Sequence, residues 1–110
     1  RDMFEGARAA YSRPVSTMTV TGGASASDVL MQILADTIGV ALLRPAFTDS
    51  AALGAAARAG VSVGMWGSLE EVCSLQTAPT QFEPRTSADR RERSYAQWKR
   101  AVERARHWDT

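Results

Sequence analysis

Two short apolar runs, Val15 to Val20 and Val40 to Leu43, flank one amphipathic stretch that opens at Thr21-Gly22-Gly23-Ala24-Ser25 and closes at Gly39. No other feature constrains the fold of this chain as much. Met18 and Val20 alternate with Thr17 and Thr19, the period of a half-buried strand. Leu30, Ile33, Leu34 and Ile38 recur at helical spacing and are expected to form the stripe that faces the core. Ser25 and Asp28 stand at capping-box spacing before that helix, and Gly39 sits where a left-handed C-terminal cap is expected. Val40-Ala41-Leu42-Leu43 is continuously apolar and ends at Arg44-Pro45, as in a strand buried on both faces of a parallel sheet. Strand, helix and strand of these lengths make a βαβ unit. The fold class is therefore α/β, a βαβ unit with further helices packed on it.

In such a unit the glycine turn lies at the carboxyl end of the first strand, where open α/β sheets place ligands. Two glycines let the chain turn sharply and let a ligand approach without meeting a Cβ. The following helix offers unpaired N–H groups and the positive end of its dipole, which suits a phosphate. Many structural turns also use Gly-Gly, so the pair by itself is a weak pointer.

The rest of the chain reads as helices and loops. Phe4, Ala7 and Arg8 mark a short amphipathic helix ending before Ser12-Arg13-Pro14. It begins inside a helical pattern with no initiator methionine and no cap, which suggests a natural chain extending further upstream; a trimmed one would look the same. Thr48 or Asp49 can cap a helix from Ser50 to Ala59, rich in alanine, in which Gly54 implies close packing against another element. Val61 to Trp66 alternates like a strand but also fits a continuation of that helix. Ser68 caps a short helix, and Gln76 to Pro84, with two prolines, reads as a loop. Thr86 and Asp89 can cap a final helix with Tyr95, Trp98, Val102 and Ala105 on one face. Its other face is basic, though interleaved with Asp89, Glu92 and Glu103 in the manner of a solvated surface. His107 near its end would favour the helix dipole.

Composition limits what this architecture can do. With 110 residues, 45% of them apolar and 23% charged, the chain suits one globular domain. A net charge of +1 supplies no field for nucleic acid or a membrane surface, and no nucleic-acid or membrane partner is expected. The single cysteine, Cys73, excludes an internal disulfide framework, fits a reducing compartment, and is expected to be a small buried hydrophobe. No apolar run reaches membrane-spanning length and no signal-peptide pattern opens the chain. No His, Cys and carboxylate cluster has metal-ligand spacing. Asp28 and Asp36 read as a cap residue and a solvated helix face.

The motifs in order then resemble a known family. Thr21-Gly22-Gly23-Ala24-Ser25-Ala26-Ser27, Leu30-Met31-Gln32, Ala35-Asp36, Gly39 and Arg44-Pro45 are similar to the C-terminal signature of the FGGY-type carbohydrate kinases, which include glycerol kinases and xylulokinases. The likeness continues through Ala51-Ala52-Leu53-Gly54-Ala55-Ala56, Ala59-Gly60, Val63-Gly64, Trp66, Phe82-Glu83-Pro84 and Tyr95-Ala96-Gln97-Trp98-Lys99-Arg100-Ala101-Val102, covering about Met18 to Trp108. Leu30-Met31-Gln32 and the Tyr95 to Val102 tail look most like glycerol kinases, and Gln32 to Asp36 looks equally like xylulokinases.

This resemblance implies the C-terminal portion of an actin-like ATPase (ribonuclease H-like) domain. Residues 1–110 would be the end of a kinase's second, nucleotide-holding domain. It implies ATP and Mg²⁺ as cofactors, a polyol or sugar as phosphoryl acceptor, a cytoplasmic location and a homo-oligomeric intact enzyme. Gly22, Gly23, Ala24 and Ser27 would be the nucleotide-binding residues, with Gly22 and Gly23 as the first backbone contacts. Glycerol kinases commonly carry Asn where this chain has Ser27, and often Asp where it has Thr21. Ser27 is shorter and lacks an amide, so it would reach a nucleotide through water or simply cap the helix. Gly54 would pack behind the site. The family's phosphate-binding loop, polyol-binding residues and catalytic aspartate lie upstream of anything present here, so no catalytic residue is expected in this chain. The competing expectation is a stand-alone, non-catalytic nucleotide-binding or oligomerisation module. A separate piece of a kinase is expected to self-associate or to be marginally stable.

Overall fold

The computed structural model describes residues 1–11 and 13–106. His107 and Trp108 lie outside the described residues. Helix α1, Asp2–Ala10, leads to strand β1, Thr17–Thr19, followed by a 3₁₀ turn at Gly23–Ala26 and helix α2, Asp28–Ile38. Strand β2, Ala41–Arg44, comes next, then helices α3, Ser50–Ser62, and α4, Leu69–Ser74. Strand β3, Thr80–Phe82, and helix α5, Ala88–Arg106, complete the described chain.

β1 and β2 pair in parallel with Met18 opposite Leu42, so the strand–helix–strand stretch is the expected βαβ unit. β3 then adds to the other edge of β2, antiparallel, with Phe82 opposite Leu42. This strand corrects the reading of Gln76 to Pro84 as loop. Its prolines flank Thr80–Phe82 without interrupting it, and an edge strand tolerates them there. Leu42 is thus at the centre of a three-stranded sheet, fully buried, beneath Met31, Ala35 and Ile38 of α2. Val40 and Phe82 complete this core, and Phe4, Val15, Met18, Val20 and Leu34 pack around it.

The buried stripe of α2 matches the expected one at Ile38, which is buried, and Leu34, which packs against the core, and differs from it at Leu30 and Ile33. Met31 and Ala35 face the sheet, whereas Leu30 and Ile33 are 44% and 56% exposed. The helix is apolar on more than one side, and the small Ala35 is fully buried in the face that meets the sheet. Leu30, Ile33 and Val29 are left as an uncovered second face. Helices apolar on both sides occur where protein covers both sides.

Gly39 closes α2 in the left-handed conformation, as expected. Two helix starts differ from the capping-box reading. Ser27, for which capping was one of two expected parts, caps α2 in place of Ser25 by accepting the Leu30 N–H. At α5 the Ser87 hydroxyl accepts the Arg90 N–H, in place of the expected Thr86. Asp49 caps α3, which runs on to Ser62 and absorbs the first part of the ambiguous alternating segment. Cys73 is exposed because Val72 is the residue of α4 that turns inward, and its neighbour lies about 100° away around the helix. Gly54 has open space where a Cβ would be, so no close packing occurs there within the described residues. The tight approach is at Gly60, where an added Cβ would collide with the Trp66 ring.

The molecule is elongated. Its radius of gyration is 18.5 Å, against about 13 Å for a compact domain of this length. Its accessible surface of 8165 Å² exceeds by about 2,200 Å² that of a compact monomer of the same mass.

Gly60→Ala is expected to lower stability by about 1–3 kcal/mol, because the half-buried Trp66 ring must move to admit the methyl group. Urea unfolding checks this, and an unchanged midpoint would mean that Trp66 does not hold the end of α3.

Candidate functional site

The chain from Thr21 to Ser27 leaves the carboxyl end of β1 and enters α2 in one continuous turn. Gly22 has φ +96°, a conformation that side chains other than glycine's rarely adopt. Its N–H donates to the Thr48 carbonyl at 2.7 Å, which ties the turn to the segment after β2. Its carbonyl accepts twice from Ser25, from the N–H at 3.0 Å and from the hydroxyl at 2.6 Å. Ser25 is 2% exposed, so its hydroxyl fastens the turn from inside. Spacing alone offers this residue as a helix cap, a part that the fold gives to Ser27.

Gly23 and Ala24 open the 3₁₀ turn ahead of its first bonded N–H, that of Ser25, and both residues are exposed. A Cβ at Gly22 or Gly23 would meet nothing within 4 Å. The backbone of Gly22, Gly23 and Ala24 thus forms an open, polar edge, with the N-terminus of α2 directly behind it. Ser27 lies on the same stretch, but its hydroxyl is engaged as the α2 cap.

Arg44, at the end of β2, reaches this turn from beneath. One nitrogen of its guanidinium donates to the Ser25 carbonyl at 2.9 Å and to Asp28 Oδ1 at 2.7 Å. The group lies 5.1 Å from the centre of the Phe82 ring. In the sequence Arg44 marks the end of a strand and, with Pro45, belongs to the stretch that resembles the family signature, but neither reading gives it a part at the turn.

Asp36 has a different part from the solvated one expected of it. Its carboxylate accepts the N–H groups of Arg85, at 2.5 Å, and Thr86, at 3.0 Å, and so joins α2 to the segment entering α5. Desolvation pushes this carboxyl upward, but the two N–H donors, the Gln32 side chain and the Arg85 charge outweigh it. They hold it below the ordinary carboxylate range. A cleft of about 580 Å³ lies beside this junction, lined by Ile33, Arg90, Arg91, Tyr95 and Trp98 among others. No residue of the glycine turn borders it.

Residues 1–63 match the FGGY family of carbohydrate kinases, C-terminal domain. The chain belongs to this family. It is 52% identical over 95 residues to a glycerol kinase of Aromatoleum aromaticum, covering 86% of this chain and 19% of that protein. To a glycerol kinase of Petrotoga mobilis it is 44% identical over 108 residues, covering 98% of this chain and 22% of that one. Among solved structures it is similar to Plasmodium falciparum glycerol kinase with ADP, with a TM-score of 0.64 and 29% identity, over 80% of this chain and 18% of that one. The chain spans about a fifth of the length of the curated relatives it matches. The fold is accordingly that of the C-terminal portion of an actin-like ATPase domain in an FGGY kinase.

The Asp36 junction makes this family member sensitive to acid in a defined direction. Its folded-state pKa is below the unfolded value of about 3.9, so its contribution is complete above that value and is lost as pH falls through the folded one. Asp36→Asn should therefore lower stability at pH 7 and flatten the loss of stability on acidification. Urea unfolding between pH 3 and 7 measures both, and parallel curves for the two proteins would contradict it.

Proposed function

We propose that this chain is the C-terminal part of the nucleotide-holding domain of an ATP-dependent carbohydrate kinase of the glycerol kinase type. The intact enzyme transfers the γ-phosphoryl group of ATP to a hydroxyl of a polyol or sugar. The observation that carries the reading is the open backbone edge at Gly22, Gly23 and Ala24, at the carboxyl end of a parallel strand and in front of a helix N-terminus. Its likeness to the Plasmodium falciparum glycerol kinase solved with ADP supports it.

In this reading Gly22 gives the turn its shape, and the N–H groups of Gly23 and Ala24 face the adenosine and its nearest phosphate. The absence of a Cβ at Gly23 gives the nucleotide room. Ser27 holds the first turn of α2 in place and so keeps the positive end of the helix dipole behind the phosphates. Phosphoryl transfer depends mainly on positioning and charge stabilisation, usually with Mg²⁺. Among the described residues no group of three or more His, Cys, Asp and Glu could hold a metal ion, so no step is assigned to a metal held by this chain. The base that activates the acceptor hydroxyl and the acceptor pocket belong to other parts of the enzyme.

The uncovered face of α2 and the large accessible surface support a place in a larger body, the rest of the intact kinase; that the kinase is a homo-oligomer rests on the family likeness alone. A cytoplasmic location rests on the free, exposed Cys73. No helix among the described residues is long and apolar enough to cross a membrane.

The test is ADP release by the full-length protein supplied with ATP and glycerol, xylulose or gluconate. Turnover on one of them, glycerol foremost, is expected. ADP binding without turnover on any would replace the enzyme by a non-catalytic nucleotide-binding module, and no ADP binding would overturn the reading altogether.

A further inference from the structure

We propose that Arg44 is a positioning residue for the nucleotide turn, acting by tethering Ser25 and by neutralising Asp28; the proposal rests on the nucleotide reading above. The tether comes first. Ser25 is fixed on one side by its two bonds to the Gly22 carbonyl and on the other by the Arg44 guanidinium on its own carbonyl. The peptide units that carry the open N–H groups of Gly23 and Ala24 lie between these attachments. Arg44 is itself held, because its side chain is 16% exposed and packs over the Phe82 ring of the neighbouring strand. The turn is thereby anchored to the sheet, in addition to the bond from the Gly22 N–H to the Thr48 carbonyl.

The charge comes second. Asp28 is the first residue of α2, and its side chain is 74% exposed. A carboxylate there gains from the helix dipole, but it also competes with a phosphate for the same positive end and repels it. The charge-assisted bond from Arg44, 2.7 Å long, cancels that repulsion locally. Arg44 thus supplies no contact to the ligand. It leaves the helix N-terminus free to serve one.

These two roles separate by substitution in the full-length protein. Arg44→Ala removes both and should raise the ADP dissociation constant and the KM for ATP about tenfold, the size of one charge-assisted hydrogen bond. The KM for the acceptor should stay near its original value, and kcat at saturating ATP should change far less than the KM for ATP. Adding Asp28→Asn to Arg44→Ala removes the bare carboxylate and should recover part of the loss, while the untethered turn keeps the rest. Arg44→Lys restores a charge without the planar fork and should also recover part, which gives a reading even if the alanine variant folds poorly.

Gly23→Val, measured beside them, separates this proposal from the reading it rests on. If Gly23→Val weakens ADP binding and neither Arg44 variant does, the positioning role is wrong. Equal losses in KM for both substrates, or lower stability with unchanged ADP affinity, would likewise reduce Arg44 to a structural part. If Gly23→Val and Arg44→Ala both leave ADP affinity unchanged, the nucleotide site itself lies elsewhere and the proposal falls with it.

Discussion

The packing of α2 across the central strand is the contact on which the rest of this structure depends. Leu42 is enclosed by Met31, Ala35 and Ile38 above it and by Met18 and Phe82 on either side, so both sheet pairings and the helix crossover meet at one side chain. Fully burying a leucine is worth about 1.5–3 kcal/mol, and here the same burial fixes where the loop between β1 and α2 must run. That loop has to climb from a strand end to a helix start within a few residues. Gly22, with its positive φ, makes the bend possible.

Much of this is legible in the chain, and what is not has physical causes. Alternation at Thr17 to Val20, the apolar run at Val40 to Leu43, and Gly39 point to the βαβ unit, because each reflects a local backbone requirement. The helix stripe is right at Leu34 and Ile38 and misplaced at Leu30 and Ile33, because α2 is apolar on two faces and periodicity cannot say which of them a sheet will choose. β3 escapes notice because Thr80–Phe82 is short, flanked by prolines, and stabilised by pairing with a strand about 40 residues away in sequence. Gly22, Gly23, Ala24 and Ser27 stand out as a unit from the turn and the family likeness. The parts of Ser25, Arg44 and Asp36 do not, since they depend on partners brought near only by the fold.

The uneven distribution of burial carries its own meaning. Helix α5 has no buried residue, and α3 is alanine-rich, with only Ala57 and Gly60 buried among the described residues. Small side chains on a long helix make sense where another surface comes close. The excess of about 2,200 Å² over a compact monomer is the scale of a sizeable protein–protein interface. A family whose relatives are about five times as long offers such a surface. The described core thus holds one element, the glycine turn, in a defined shape while leaving the flanks to be covered.

Backbone amide exchange of the full-length protein, with and without ADP, tests the central claim most directly. If the turn holds a nucleotide, the amides of residues 22–27 gain protection on ADP addition, together with the first turn of α2. ADP binding with unchanged exchange across that stretch would contradict the account and move the nucleotide site to another part of the protein.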